Sequence, residues 1–463
     1  MIGPVELYLD LERHAGAPLR RRLEREIREA VRTGRLTPGT ALPSTRALAA
    51  QLGVSRGVVV ESYTQLVAEG WLSARQGAAT VVAARAGAGV ERRASQAISE
   101  PSLAPRYDFR YGSPDLSAFP RAAWLAASAR TLRALPDARL GYGDARGAIE
   151  LREALAAYLG RVRGVVADPG LMLVGSGTRH GLGLVWRVLR EAGARRVAIE
   201  DPGWSAQRET ALGAGLEPVP VGVDERGMCV GELEALDVDA VTLTPAHQCP
   251  TGAVLAPERR AALLDWARRR EALVVEDDYD AEYRYDREPV GALQAMAPER
   301  VVYAGSASKT LAPGLRIGWL VLPDRLMAPA TRQRVEADRG GPLLDQLTLA
   351  DLVARGELDR HLRRTRRSYR ARRDALLAAV AAELPGGRVE GIAAGLHAVV
   401  RLPSGCDEAA TVAAAAGRGI ALDGLASFFS SGTSPHPALV LGYANLAEPA
   451  IARGIGELAR ALR

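Results

Sequence analysis

From Tyr107 onward, apolar runs of strand length alternate with stretches of helical period, the pattern of an α/β domain. That alternation fixes where chemistry can sit, because open α/β sheets bind ligands beyond the carboxyl ends of their strands. Three of the runs end in side chains suited to that position: Val174-Gly175-Ser176-Gly177-Thr178-Arg179-His180, Leu273-Val274-Val275-Glu276-Asp277-Asp278-Tyr279 and Tyr303-Ala304-Gly305-Ser306-Ala307-Ser308-Lys309.

Lys309 is the one lysine among 60 Lys and Arg residues. Arginine stays protonated and cannot act as the amine nucleophile that captures an aldehyde, so one position needs lysine chemistry. Residues 301–304 read as a short buried strand and 315–322 as a second, entered through Pro313-Gly314, which places Lys309 on a turn between strands. The hydroxyls of Ser306 and Ser308 and the guanidinium of Arg316 supply the donors that a phosphate dianion requires. A phosphate-bearing aldehyde suits this combination. A helical pattern from about 177 to 191 follows the strand ending at Gly175, so free N–H groups at its start can hold a phosphate.

The first eighty residues carry a different pattern. Residues 18–33 form an amphipathic helix with Leu19, Leu23, Ile27 and Val31 at helical spacing. Ser44 and Ser55 are N-cap candidates that frame a short helix, a Gly53 turn and a second helix to about Glu69, with Val59, Tyr63, Leu66 and Val67 inward. This is helix-turn-helix geometry, with the second helix placed for the major groove. Residues 71–82 read as a two-stranded wing with Arg75-Gln76-Gly77 at its tip. Residues 83–106, rich in Ala, Gly, Ser, Arg and Pro, read as a flexible linker.

The stretch from Ser306 to Arg316 resembles the lysine motif of fold-type I pyridoxal-phosphate proteins, and residues 42–71 closely resemble the winged helix-turn-helix of GntR-type repressors. Together, with the helix-turn-helix first and the lysine motif after it, they resemble the MocR-type regulators of the GntR superfamily, PdxR-like, over nearly the whole length. The resemblance implies a GntR-type DNA-binding domain over 1–82, the linker over 83–106, and over 107–463 a fold-type I aminotransferase-like domain, large and small, the small part from about 340. It implies that Lys309 forms the Schiff base with pyridoxal 5'-phosphate. Asp277 would face the pyridinium nitrogen, with Glu276 and Asp278 open as one-residue alternatives, and Tyr279 would donate to the ring hydroxyl. Ser176, Gly177, Thr178, Ser306, Ser308 and Arg316 would hold the phosphate, and Trp204 of Asp201-Pro202-Gly203-Trp204 would stack on the ring. In Thr244-Pro245-Ala246-His247-Gln248-Cys249-Pro250-Thr251-Gly252 the asparagine of working aminotransferases is missing, and His247 or Gln248 is expected in its place. Tyr142 would reach the neighbouring subunit's cofactor, which implies a homodimer. Ser44, Thr45, Arg46, Ser55, Arg56, Val58, Arg75 and Gly77 would contact double-stranded operator DNA.

Catalysis is expected to be weak or absent. The arginine that forks a substrate carboxylate in amino-acid-binding members falls at Val440 in Leu439-Val440-Leu441-Gly442, with Arg208 or Arg401 as alternatives. The reading is therefore a ligand-responsive transcription factor whose small-molecule effector is pyridoxal phosphate itself or an amino-acid-like compound. The alternative is an aminotransferase with a vestigial DNA-binding domain. A net charge of +6 suits a polyanion partner, and three cysteines without metal or disulfide spacing suit a reducing cytoplasm. Apolar runs are too short for a membrane helix, no metal site is expected, and residues 360–373 read as an arginine-laced helix with a possible DNA contact.

Overall fold

The computed structural model describes residues 7, 9, 11, 16–75, 78–84, 105–286 and 290–462. The chain divides into two compact units, Met1–Ala104 and Pro105–Arg463. Gly77 at the wing tip and residues 85–104 of the expected linker lie outside the described residues.

In the first unit, α1 (Leu19–Arg32) buries Leu23, Ile27, Ala30 and Val31, the face its sequence spacing selects. Helix α2 (Thr45–Leu52) is capped by Ser44, whose hydroxyl accepts from the Ala47 amide at 3.2 Å, and ends at Gly53, which takes a left-handed φ of 65°. Ser55 caps α3 (Arg56–Ala68) in the same way, accepting from the Val58 amide at 3.4 Å. Strands β1 (Leu72–Ser73) and β2 (Val81–Val82) pair antiparallel to form the wing. Tyr63 locks α3 to the turn before α2, its buried hydroxyl donating to the Pro43 carbonyl at 3.0 Å.

The second unit opens with β3 (Tyr107–Asp108), α4 (Arg121–Ala134) and α5 (Ile149–Arg163). Its main layer then follows as β4 (Met172–Gly175), α6 (Thr178–Glu191), β5 (Arg196–Asp201), α7 (Ser205–Gly213), β6 (Glu217–Asp224), β7 (Gly227–Met228), β8 (Ala240–Leu243), α8 (Pro257–Arg269), β9 (Leu273–Asp278), β10 (Val301–Ser306) and β11 (Gly318–Val321). The strands lie in the order β4-β11-β10-β9-β8-β5-β6-β7. From β10 through β6 neighbours run parallel, whereas β11 is antiparallel to both of its neighbours. Parallel strands are covered on both faces, and every residue of β9 and β10 is buried. Leu173, Trp186, Val302 and Leu320 pack on one face, and Val241, Leu264, Trp266 and Val274 on the other.

Helices α9 (Asp324–Ala337), α10 (Leu343–Ala354) and the long α11 (Glu357–Glu383) lead to β12 (Arg388–Glu390), β13 (His397–Arg401), α12 (Glu408–Gly417), β14 (Ile420–Ala421), β15 (Asp423–Gly424), β16 (Ala438–Gly442) and α13 (Glu448–Ala461). A second sheet runs β12-β13-β16-β15, and β14 pairs with β3. The strand expected from 315 starts only at Gly318. Pro313 opens a single 3-10 turn there, and Arg316 follows it in the left-handed region at φ 53°. No helix among the described residues is long and apolar enough to cross a membrane.

Replacing Tyr63 by Phe leaves the Pro43 carbonyl unpaired, so Tyr63→Phe should lower the stability of the full chain's first unfolding transition by about 1–3 kcal/mol. Urea denaturation followed by tyrosine and tryptophan fluorescence measures it; an unchanged midpoint would contradict the assignment.

Candidate functional site

The carboxyl ends of β4, β5, β8, β9 and β10 converge on one cavity of about 230 Å³. Its wall includes Gly177 and Thr178 after β4, Trp204 after β5, Thr244 and Cys249 after β8, Asp277 and Tyr279 of β9 and its end, and Ser306, Ser308, Lys309 and Arg316 after β10. The alternation along β9 separates its three acids. Glu276 points away and accepts the Leu293 and Gln294 amides at 2.9 Å each. Asp278 points the same way, pairing with buried Arg163 at 2.7 Å and accepting from the Tyr303 hydroxyl at 2.7 Å. Asp277 alone of the three faces the cavity.

Asp277 accepts from Gln207 Nε2 at 3.1 Å through one oxygen, while its Oδ1 is buried without a donor. Burial pushes its carboxyl up to about 7, and the nearby Asp278 adds to the rise, while Gln207 and Lys309 oppose it. Across the cavity Lys309 Nζ donates to the Gly112 carbonyl at 2.6 Å. Burial pulls this amine below its ordinary range, against the opposing field of Asp280, Cys249 and Asp277. A Cβ on Gly112, which sits at φ 77°, would lie 2.5 Å from Nζ, so only glycine lets the amine approach.

On the far side, α6 begins at Gly177 without a side-chain cap. The Arg316 guanidinium donates to the Ser176 carbonyl, which aims it at this helix start. The Ser306 hydroxyl accepts from the Ser308 amide at 3.2 Å. Ser176 therefore contributes its main chain, and its side chain is not on the cavity wall. His247 and Gln248 are not on the wall either. His247 is buried behind Tyr279, its Nδ1 3.0 Å from Asp280 and from the Tyr279 hydroxyl, and Gln248 donates to the Pro202 carbonyl at 2.8 Å. With Asp280 as acceptor for the ring N–H, the Tyr279 hydroxyl hydrogen remains for the cavity.

His247 or Gln248 is expected in place of the missing asparagine; of the loop over residues 244–252, it is Thr244 and Cys249 that line the cavity wall. Burial pushes the Cys249 thiol up, and it hydrogen-bonds to Tyr111. Tyr111 is a second wall residue that the sequence patterns did not single out. Its segment, Tyr111-Gly112-Ser113-Pro114, carries turn residues but no local periodicity to mark it.

Tyr142 lies elsewhere, 92 % exposed and beneath the Arg339 guanidinium at 5.9 Å, in a separate cleft with Gly141, Asp144 and Gln346. Val440 is fully buried among Cys249, Val399, Leu425, Phe428 and Ala438. Neither Arg208 nor Arg401 lines the cavity, and Arg401 pairs with Glu390 at 2.6 Å.

In the first unit, Arg46, Arg56 and Arg75 are exposed and have no acidic partner among the described residues. Thr45 opens α2, half-buried. Ser44 and Ser55 each accept one amide hydrogen as caps, and Val58 is half-buried against the core instead of fully presented. The result is a short helix with Arg46 in its first turn, a glycine turn and a second helix that opens on Arg56, neither arginine facing an acid among the described residues.

Residues 19–82 match the family described as bacterial regulatory proteins, gntR family, and residues 109–416 match aminotransferase class I and II. The HTH-type pyridoxine biosynthesis transcriptional regulator PdxR of Corynebacterium glutamicum is 33 % identical over 99 % of both chains. The probable rhizopine catabolism regulatory protein MocR of Rhizobium meliloti is 33 % identical over 97 % of this chain and 95 % of its own. Among solved structures, the α-aminoadipate aminotransferase LysN of Thermus thermophilus, complexed with N-(5'-phosphopyridoxyl)-L-leucine, superposes with a TM-score of 0.69 at 28 % identity, covering 77 % of this chain and 91 % of that one.

The raised carboxyl of Asp277 has a signed consequence for the ligand-free protein. Below the ordinary carboxylate range, near about 4, both folded and unfolded states hold the proton; from there to about 7 the unfolded chain ionises first, so stability falls as pH rises across that window. Asp277→Asn should remove its share of this slope and stabilise the ligand-free protein at pH 8 by about 1–4 kcal/mol, with the gain vanishing near pH 4. Thermal melts of both proteins across that range test it, and parallel curves would contradict it.

Proposed function

We infer the role of each unit from one premise: the chain belongs to the MocR-type branch of the gntR-family regulators, which join a DNA-reading head to an aminotransferase class I and II domain. It is an HTH-type transcriptional regulator. The reading proposed here is that it acts in the cytoplasm as a homodimer on double-stranded operator DNA, and that a small molecule at the Lys309 cavity controls it.

Pyridoxal 5'-phosphate fits the residues of that cavity. The unpaired Oδ1 of Asp277 calls for a donor, which a protonated pyridine nitrogen supplies. Gly177, Thr178, Ser306, Ser308 and Arg316 would hold the phosphate, Trp204 would stack on the ring, and the Tyr279 hydroxyl would meet the ring hydroxyl. When bound, the cofactor supplies an electron sink and a visible chromophore. Lys309, kept toward its neutral form by burial, is the amine that would attach it, and the Gly112 carbonyl orients that amine. Tyr142 of each copy would complete the other copy's phosphate site.

The observation that carries the regulatory reading is that no guanidinium among the described residues is placed beside this lysine as a carboxylate fork. Enzymes turning over amino acids orient the substrate carboxylate with a guanidinium. Here the expected position is Val440 in an apolar cluster, and the cavity arginines are Arg316, directed at Ser176, and Arg179, paired with Glu209 at 2.7 Å. Transamination is therefore weak or absent. The effector is pyridoxal phosphate itself or an amino-acid-like compound, and the first is favoured by likeness to a regulator of pyridoxine biosynthesis. Occupancy would shift the dimer between two arrangements of its heads by differential affinity.

Two outcomes are expected. Lys309→Ala should abolish the visible absorption band of the cofactor-loaded protein, and common amino acids should leave the wild-type band unchanged over many minutes; rapid bleaching by an amino acid would favour the enzyme reading. In gel shifts with the gene's own promoter region, Arg56→Ala should weaken binding and reduce the salt slope by about 1, as expected for a lost phosphate contact. An unaltered slope would remove Arg56 from the interface.

A further inference from the structure

Guanidinium groups converge at a second place in the aminotransferase-like unit. Where the segment before α4 meets the first turns of α11, a cleft of about 480 Å³ is lined by Ser117, Arg121, Glu357, Arg360, His361 and Arg364, together with neighbouring apolar residues. Three cations there face one carboxylate. Arg360 pairs with Glu357. Arg121 donates to the Ser117 carbonyl at 3.4 Å, and Arg364 Nη2 donates to the Ala118 carbonyl at 3.1 Å. A guanidinium has five donors, so these few contacts leave most of the N–H groups open to a ligand. A concave site with that excess of charge and donors suits a dianion with several acceptor oxygens better than a lone carboxylate.

The same cleft is wired to the lysine. Arg364 Nη2 also donates to His361 Nδ1 at 3.1 Å, so the opposite ring nitrogen carries the hydrogen and donates to the Thr310 carbonyl at 2.8 Å. Thr310 is the residue after Lys309. His361 is 4 % exposed, and burial together with the Arg364 charge holds it toward the neutral form, which keeps one nitrogen free to accept.

We propose that this cleft binds a phosphate-bearing small molecule, and that its occupancy acts on Lys309 through the chain Arg364–His361–Thr310. An anion that draws the Arg364 guanidinium toward the open cleft takes Nη2 away from His361 Nδ1. Without that donor the ring hydrogen is no longer held on Nε2, the bond to the Thr310 carbonyl is no longer enforced, and the turn carrying Lys309 loosens. The cleft and the relay do not depend on what occupies the lysine cavity.

Equilibrium dialysis of the full-length protein with radiolabelled inorganic phosphate tests the site. Arg316→Ala, which disables the lysine cavity as a phosphate site, should retain binding; adding either Arg360→Ala or Arg364→Ala to it should weaken binding about tenfold or more, the loss of one charge-assisted contact. Binding abolished by Arg316→Ala alone would place the phosphate only at the lysine and overturn the proposal while leaving the cofactor reading intact. Arg360→Ala and Arg364→Ala variants that weaken promoter binding but leave phosphate binding unchanged would likewise overturn it and give this face to DNA. The relay is read on the chain's one lysine by reductive methylation, with the modified peptide quantified by mass. In the Arg316→Ala background phosphate should speed methylation of Lys309, and the acceleration should be lost on adding His361→Phe, which keeps a ring but removes both bonds, and restored by His361→Gln. Equal rates with and without phosphate would contradict the relay.

Discussion

The hydrogen bond from Lys309 to the Gly112 carbonyl, made in a desolvated cavity, is the constraint on which the aminotransferase-like unit turns. An amine that must be neutral to react has to be buried, and an amine that is buried has to be oriented by something that does not hold it in its charged form by salt-bridging. A backbone carbonyl does that, and a glycine is required because a Cβ would collide with Nζ. The carboxylates stand back: Asp277 across the cavity, Asp280 engaged by His247. Five strand ends are needed to hold these groups apart, which is why the sheet order, with β11 reversed between β4 and β10, matters to the chemistry.

The replacement of lysine by arginine everywhere but position 309 sharpens the division of labour between the two units. Arg46, Arg56 and Arg75 keep their charge in any environment and carry no acid beside them among the described residues, as a phosphate-contacting face requires. The buried arginines do structural service instead: Arg163 neutralises Asp278 at the foot of β9, and Arg152 pairs with Asp144 at 2.9 Å. Charge that never titrates is used for position, and the single lysine amine is kept for the ligand.

Much of this was legible in the sequence, for identifiable reasons. The helix-turn-helix announced itself through Ser44, Gly53 and Ser55, whose capping and left-handed roles depend on residue type alone. The lysine turn was legible because its donors, Ser306, Ser308 and Arg316, lie close to one another in the sequence. Asp277 could not be told from Glu276 or Asp278, since period-2 alternation fixes which two share a face but not which face meets the cavity. Tyr111 and Gly112 were invisible, being brought to Lys309 across 197 positions by packing with no local signature. Cys249 is hidden for a different reason: the polar residues of its loop, His247 and Gln248, are the ones whose chemistry suits a ligand, yet the fold turns them inward to Asp280 and Pro202.

The central claim is that one particular amine captures a phosphate-bearing aldehyde in a protein whose other unit reads DNA. Borohydride reduction of the purified full-length protein, followed by digestion and mass spectrometry, measures it directly. The account predicts a phosphopyridoxyl adduct on the peptide that contains Lys309. Its absence from that peptide in protein saturated with pyridoxal phosphate, or its presence on the amino terminus alone, would contradict the account.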